Sequence, residues 1–221
     1  MSDFLTARQN MVDGQVRPSD VTEFRIIEAM LTVPREVFVP ADKQALAYLD
    51  IDLDVGGADR DKRFLLQPAV LAKLLQAAEI KQDDTVLVAG CATGYSAAIA
   101  AKLAAKVTAV DPDQSLVAFA KAAFDRLGYT NVSVSVGPVS DGNAANGPYD
   151  VIVLDGATEI IPETLYRQLK DGGRLVGVFA TAAVKRATII TRSGDDFGRR
   201  ALFDASAMVL PGLRRTEEFV F

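Results

Sequence analysis

Apolar positions follow two periods along this chain. From Pro68 onward, Val70, Leu71, Leu74, Leu75 and Ala78 recur at i, i+4 and i+8, the spacing that turns one face of a helix toward a core. Pro68 suits the first helical turn, where its missing N–H removes no bond. Beyond this helix, apolar strand candidates at 85–89, 106–110, 132–136, 151–154 and 175–179, most of them near-continuous apolar runs, alternate with helical patterns at 97–105, 114–127 and 162–169. Strands without polar alternation are buried on both faces, so the pattern predicts an α/β fold with a mostly parallel, doubly wound sheet covered by helices on both sides. The tail departs from this: "ATIITRSGDDFGRRALFDASAMVLPGL" carries two β-rich runs around a Gly-Asp turn. It predicts a C-terminal antiparallel hairpin closing one sheet edge.

Upstream, "RPSDVTEFRIIEAMLTVPREVFVP" places Asp20 and Glu23 at capping-box spacing, with Phe24, Ile27, Met30 and Leu31 at helical intervals until Pro34. An amphipathic helix is expected before the main fold. Residues 50–63, "DIDLDVGGADRDKR", are rich in Asp and Gly and read as a long exposed loop, either functional or a tolerated insertion. With no internal repeat or low-complexity linker, residues 1–221 are expected to form a single domain. Within it, 1–66 make an N-terminal helical segment and loop, and 67–221 the ligand-binding core.

Composition narrows the chemistry. A chain of 221 residues, 49% hydrophobic, holds enough apolar side chain for a full core. Its single Cys forms no internal disulfide, and no N-terminal stretch joins a basic region to a long apolar one, so a cytoplasmic protein without a membrane partner is expected. A net charge of −5 argues against nucleic acid, whose affinity comes largely from cations on phosphates; a small molecule or a protein is the better partner. The absence of histidine excludes Ser-His-Asp and Cys-His nucleophile systems and histidine acid–base work, and no metal site is expected.

The candidate chemistry lies in "VLVAGCATGYSAAIAAKLAAKVTAVD". A strand runs into Gly90, a turn reaches Gly94, a small-residue helix follows, and a second strand ends in Asp111, the layout of a nucleotide-binding fingerprint. In such sheets ligands lie outside the carboxyl ends of the strands. Gly90 and Gly94 let backbone approach the ligand, and Asp111 is placed to accept both ribose hydroxyls. There is no Gly-Lys-Ser/Thr and no third glycine at dinucleotide spacing, so a nucleoside without pyrophosphate fits better. S-adenosylmethionine is such a ligand. Its methyl needs an oriented nucleophile rather than a proton shuttle, and a carboxylate acceptor is already ionised at neutral pH. Ala92 stands where glycine is usual and is expected at negative φ, where a methyl group is tolerated. Cys91 reads as a small apolar filler, and Tyr95 as packing over the turn or the cofactor. Asp155, expected just after a strand at the same edge, reads as a contact to the methionine amino group or the acceptor, or as a strand-end cap. Lys185, Arg186, Arg199 and Arg200 read as a solvated hairpin face.

The chain resembles the protein-L-isoaspartate (D-aspartate) O-methyltransferase family through "ARQNMVDGQVRPSDVTEFRIIEAMLTVPREVFVP", "LAYLD", "VAGCATGYSAA", "NVSVSVG", "YDVIVLDGATEIIPETLYRQLKDGGRLV" and "LFDASAMVLPGL", in the family's order. The "VPREVFVP" and "VLPGL" phrases are its more specific parts. The resemblance implies a Rossmann-like class I methyltransferase that binds S-adenosylmethionine and esterifies isoaspartyl residues of protein or peptide substrates, a repair reaction. The cofactor-binding residues it implies are Gly90, Cys91, Ala92, Gly94, Tyr95, Asp111, Pro112, Gly137, Pro138 and Asp155.

Departures from the family pattern are specific. Val88 replaces an acid and Ala92 a glycine; Pro138 follows Gly137 where the family commonly has an acid facing the adenine. The family's Gly-Gln-Thr-Ile-Ser-x-Pro segment reads "KRFLLQP", which puts Leu66 in place of the functional serine. Leu65 and Leu66 are then the expected substrate-side residues, and isoaspartyl turnover is expected to be poor. Three other readings stand beside the first: a methyltransferase with another acceptor, a non-catalytic module that still binds adenosylmethionine or adenosylhomocysteine, and an interaction protein that has lost the cofactor.

Overall fold

A computed structural model describes residues 3–56 and 62–215. The N-terminal part contributes α1 (Phe4–Met11) and α2 (Phe24–Thr32), followed by 3-10 segments at Arg35–Phe38 and Ala41–Leu46. α2 is capped by Glu23, whose carboxylate accepts the Arg25 N–H, satisfying one of the orphan donors of a first turn. The expected capping box from Asp20 does not form: Asp20 adopts a left-handed conformation, φ 63°, and points the chain away. The buried stripe is Ile26, Ile27, Ala29 and Met30, while Phe24 is 69% exposed, so the inward face is rotated from the expected one. The helix stops at Thr32, because Val33 precedes proline and takes extended backbone.

The expected exposed loop at 50–63 is corrected in part. β1 (Leu53–Gly56) pairs antiparallel with β2 (Arg63–Leu65) in a small sheet of its own. Leu53 and Val55 turn into the core, with Asp54 between them on the wetter side. Residues 57–61 of that expected loop lie outside the described residues.

α3 (Pro68–Ala78) begins on its proline and buries the whole stripe from Val70 to Ala78. The main fold continues through β3 (Thr85–Ala89), α4 (Tyr95–Ala101), β4 (Lys106–Asp111), α5 (Gln114–Leu127), β5 (Val132–Val136), β6 (Tyr149–Thr158), α6 (Glu163–Tyr166), β7 (Leu169–Phe179), β8 (Arg186–Ser193) and β9 (Asp196–Asp204). The strand order is β5-β4-β3-β6-β7-β8-β9. Pairing is parallel from β5 to β7 and antiparallel from β7 to β9, the expected doubly wound sheet with its edge hairpin. Val86 and Val88 join one core, beneath α2 to α5; Leu87 and Ala89 join the other, beneath α6. Apolar side chains on both faces explain why these strands read as unbroken runs.

α6 is shorter than the expected 162–169, since the chain enters β7 at Leu169, paired with Tyr149. The order reverses beside β3: the chain winds out to β5, then returns to place β6 against β3. The carboxyl ends of β3, β4 and β6 therefore frame the crevice where doubly wound folds hold ligands.

Candidate functional site

Strand β3 turns sharply after Ala89. Gly90 and Gly94 take φ 81° and 98°, and a Cβ on Gly94 would come 2.7 Å from Phe124 Cζ, so both backbone angle and space require glycine there. Ala92 takes φ 47°, which corrects the expectation of a negative angle. For an alanine this left-handed region costs about 1–2 kcal/mol. One compensating bond is visible: the Ala92 N–H donates to Asp111 Oδ2 at 2.8 Å.

Asp111 ends β4 and is 0% exposed. Its Oδ2 also accepts Arg63 Nε at 3.1 Å and Nη2 at 2.9 Å, and its Oδ1 accepts the Asp113 N–H at 3.1 Å. Arg63 Nη2 donates further to the Gly90 carbonyl at 2.6 Å. This is a buried ion pair, with 3% and 0% side-chain exposure. A Cβ built on Gly90 would stand 2.6 Å from Leu210 Cδ2 and 2.9 Å from Arg63 Nη2, and one on Gly156 would stand 2.7 Å from Leu210 Cδ2. The space above the turn is therefore filled by Arg63 and Leu210.

Asp155 lies inside β6, which runs on to Thr158, correcting its expected place after the strand. It is 3% exposed. Its Oδ2 accepts the Ser96 hydroxyl, while Oδ1 has no partner among the described residues. Burial pushes its carboxyl up to about 6, and the Ser96 hydrogen bond and the charges of Arg63 and Arg35 hold it from rising further. Cys91 is 0% exposed, and burial, with Asp111 and Asp155 nearby, raises its thiol well above the usual range; it is a filler, not a nucleophile. Tyr95 is a packing residue, its ring 5.8 Å from that of Phe38 and beneath the Arg35 guanidinium at 4.6 Å.

Around the rim, Pro112 and Pro138 are exposed and Gly137 is partly buried; the Gly137 N–H donates to the Asp111 carbonyl at 3.1 Å. Leu65 and Leu66 are core side chains, 1% and 2% exposed. The structure thus gathers Gly90, Cys91, Ala92, Gly94, Tyr95, Asp111 and Asp155 in one buried cluster and sets Pro112 and Pro138 at its edge. Lys185, Arg186, Arg199 and Arg200 lie apart, exposed on the edge hairpin as expected, with Arg186 paired to Asp204 at 3.0 Å.

Sequence reasoning missed three members. Ser96 gives no signal within a small-residue helix. Arg35, 0% exposed, donates to the Ala47 and Leu66 carbonyls at 2.8 and 2.9 Å and so ties the N-terminal segment to the entrance of α3. Arg63 had one available signal: it occupies the glutamine position of "KRFLLQP" against the family segment.

Comparison with known proteins agrees with this architecture. The family model for protein-L-isoaspartate(D-aspartate) O-methyltransferase matches residues 7–199. The protein-L-isoaspartate O-methyltransferase of Koribacter versatilis (strain Ellin345) is 34% identical over 212 residues, 96% of this chain and 94% of that one. A solved protein-L-isoaspartate O-methyltransferase shares the fold with a TM-score of 0.82 at 24% identity, over 93% of this chain and 66% of that one. A Plasmodium falciparum structure in complex with S-adenosyl-L-homocysteine gives a TM-score of 0.77 at 17% identity, over 95% and 99% of the two chains. With its glycine turn, its strand-end acid and nearly its whole length matched, the chain belongs to the protein-L-isoaspartate(D-aspartate) O-methyltransferase family.

Proposed function

We propose that this chain is an S-adenosylmethionine-dependent O-methyltransferase that esterifies carboxylates of protein or peptide substrates, isoaspartyl residues in particular. The observation that carries this reading is Asp111 at the carboxyl end of β4, held against the Gly90–Gly94 turn in a chain whose family model covers residues 7–199. The donor set fits a nucleoside: an acid for a ribose diol, glycines for close backbone approach, and a second buried carboxylate, Asp155, with an oxygen unpartnered among the described residues for a cationic amine. The space does not yet fit, because Arg63 and Leu210 stand over the turn. When bound, S-adenosylmethionine supplies a methyl group on a sulfonium, which an ionised carboxylate accepts without a general base. That requirement suits a chain with no histidine.

The residues of this chain orient and exclude water rather than shuttle protons. Tyr95, Phe38 and Phe124 pack around the turn, and Arg35 fixes the Leu66 carbonyl at the head of α3. Among the described residues, no helix is long and apolar enough to cross a membrane; a cytoplasmic setting suits the lone buried Cys91.

Leu66 favours a second reading, a related methyltransferase with another carboxylate acceptor, since an alkyl side chain offers neither donor nor acceptor where the family has a hydroxyl. Radiolabelled methyl transfer to an isoaspartyl peptide and to its aspartyl twin separates the two. Base-labile label on the isoaspartyl peptide alone, at a rate below that of an ordinary family member, is expected. Label on neither peptide, with the cofactor bound, would replace the proposal by the second reading.

A further inference from the structure

We propose that Arg63 is a resident competitor for the nucleoside, occupying on Asp111 the place of a ribose diol, so that the cofactor site opens only when β2 withdraws it. This rests on the reading of the chain as an adenosylmethionine enzyme. A carboxylate offers about four lone-pair directions, and Asp111 already receives Arg63 Nε, Arg63 Nη2 and the Ala92 and Asp113 N–H groups. Two ribose hydroxyls therefore cannot bind it bidentately without displacing donors. The Ala92 and Asp113 amides are fixed by the turn and by the start of α5. The guanidinium is the group that can leave.

The same guanidinium closes the approach to the turn. Nη2 stands 2.9 Å from a Cβ built on Gly90 and holds the Gly90 carbonyl at 2.6 Å, which is the face a nucleoside would meet. The strand that carries it lies outside the main sheet. β2 has three residues and pairs with β1 in a two-stranded sheet outside the main one, so moving Arg63 breaks none of the parallel ladder. Arg63 thus neutralises Asp111 when no cofactor is bound and sets a threshold on cofactor affinity.

The test uses calorimetric titration of S-adenosylhomocysteine into the full chain and into Arg63→Ala and Arg63→Gln. Both variants should bind at least tenfold more tightly than the natural chain, and Arg63→Gln keeps a hydrogen-bonding side chain in case the alanine variant folds poorly. Hydrogen exchange on the natural chain provides a reading free of mutation: amides 63–65 should exchange faster when the ligand is saturating. Tight binding by the natural chain with weaker or unchanged binding by the variants, or protection of 63–65 on binding, would overturn the competitor and leave the enzyme reading intact. Silence from all three proteins at millimolar ligand would overturn both.

Discussion

Two buried carboxylates flank β3 at the same end of the sheet, and the fold treats them differently. Asp111, on β4, is surrounded by donors: two from Arg63 and two backbone amides. Asp155, on β6, has one hydroxyl donor from Ser96 and one oxygen without a partner among the described residues, and burial drives its carboxyl up to about 6. Asp155 shows that a buried carboxyl with few donors resists ionisation. One half of the crevice is satisfied from within; in the other, a carboxylate oxygen has no partner among the described residues.

The largest effect comes from breaking the satisfied half. Asp111→Ala strands the Arg63 guanidinium in the interior and should cost about 3–5 kcal/mol in denaturant unfolding. Asp155→Asn at neutral pH should be near neutral or stabilising, because an amide still accepts the Ser96 hydroxyl and removes a poorly solvated charge. The double variant Arg63→Ala/Asp111→Ala should recover about 1–3 kcal/mol relative to the sum of the singles. Additive costs would mean that the pair is not coupled, and equal costs at the two acids would erase the contrast.

A smaller effect sharpens the unsatisfied half. The folded carboxyl of Asp155 titrates near 6, above its unfolded value of 3.8, so between these pH values the folded chain holds a proton that the unfolded chain has released. Its contribution to stability therefore falls as pH rises from about 4 to about 6 and is constant above, a loss of about 3 kcal/mol in all. Unfolding free energies of the natural chain and Asp155→Asn, compared at pH 4.5 and 7.5, should diverge by about 2 kcal/mol, with the natural chain losing more, since part of the loss is already complete at pH 4.5. A constant difference across the range would show that Asp155 is not strained by burial.

The smallest effect tests the turn joining the two halves. Ala92→Gly relieves a left-handed alanine worth about 1–2 kcal/mol, loses a buried methyl worth about 0.8 kcal/mol, and gives the unfolded chain more freedom, worth about 0.5–1 kcal/mol. The terms nearly cancel, so stability should shift by less than about 1 kcal/mol. A larger gain in thermal or chemical unfolding would show that strain at φ 47° dominates the turn.

Much of the fold was legible because strand and helix periods survive in this sequence. The runs at 85–89 and 132–136 and the helix at 114–127 coincide with β3, β5 and α5, where burial or amphipathic pattern and local propensity agree. The miss at 50–63 is instructive: Leu53 and Val55 alternate with Asp52, Asp54 and Gly56, a two-residue period that the acidic composition obscured. Long-range bonds explain the rest. Glu23 rather than Asp20 caps α2, and β7 takes up residues expected in α6 by pairing Leu169 with Tyr149.

By itself the sequence determined the doubly wound sheet, its edge hairpin, the glycine turn and the strand-end acid, because each depends on residues adjacent in the chain or at fixed short spacing. Only the tertiary structure decided what those groups face. Arg63 reaches Asp111 across 48 positions and Ser96 reaches Asp155 across 59, while Leu210 packs over both Gly90 and Gly156. No local period encodes such meetings. They arise because burying a carboxylate demands a donor, and the compact chain supplies whichever polar group the packing of apolar surfaces has brought within reach.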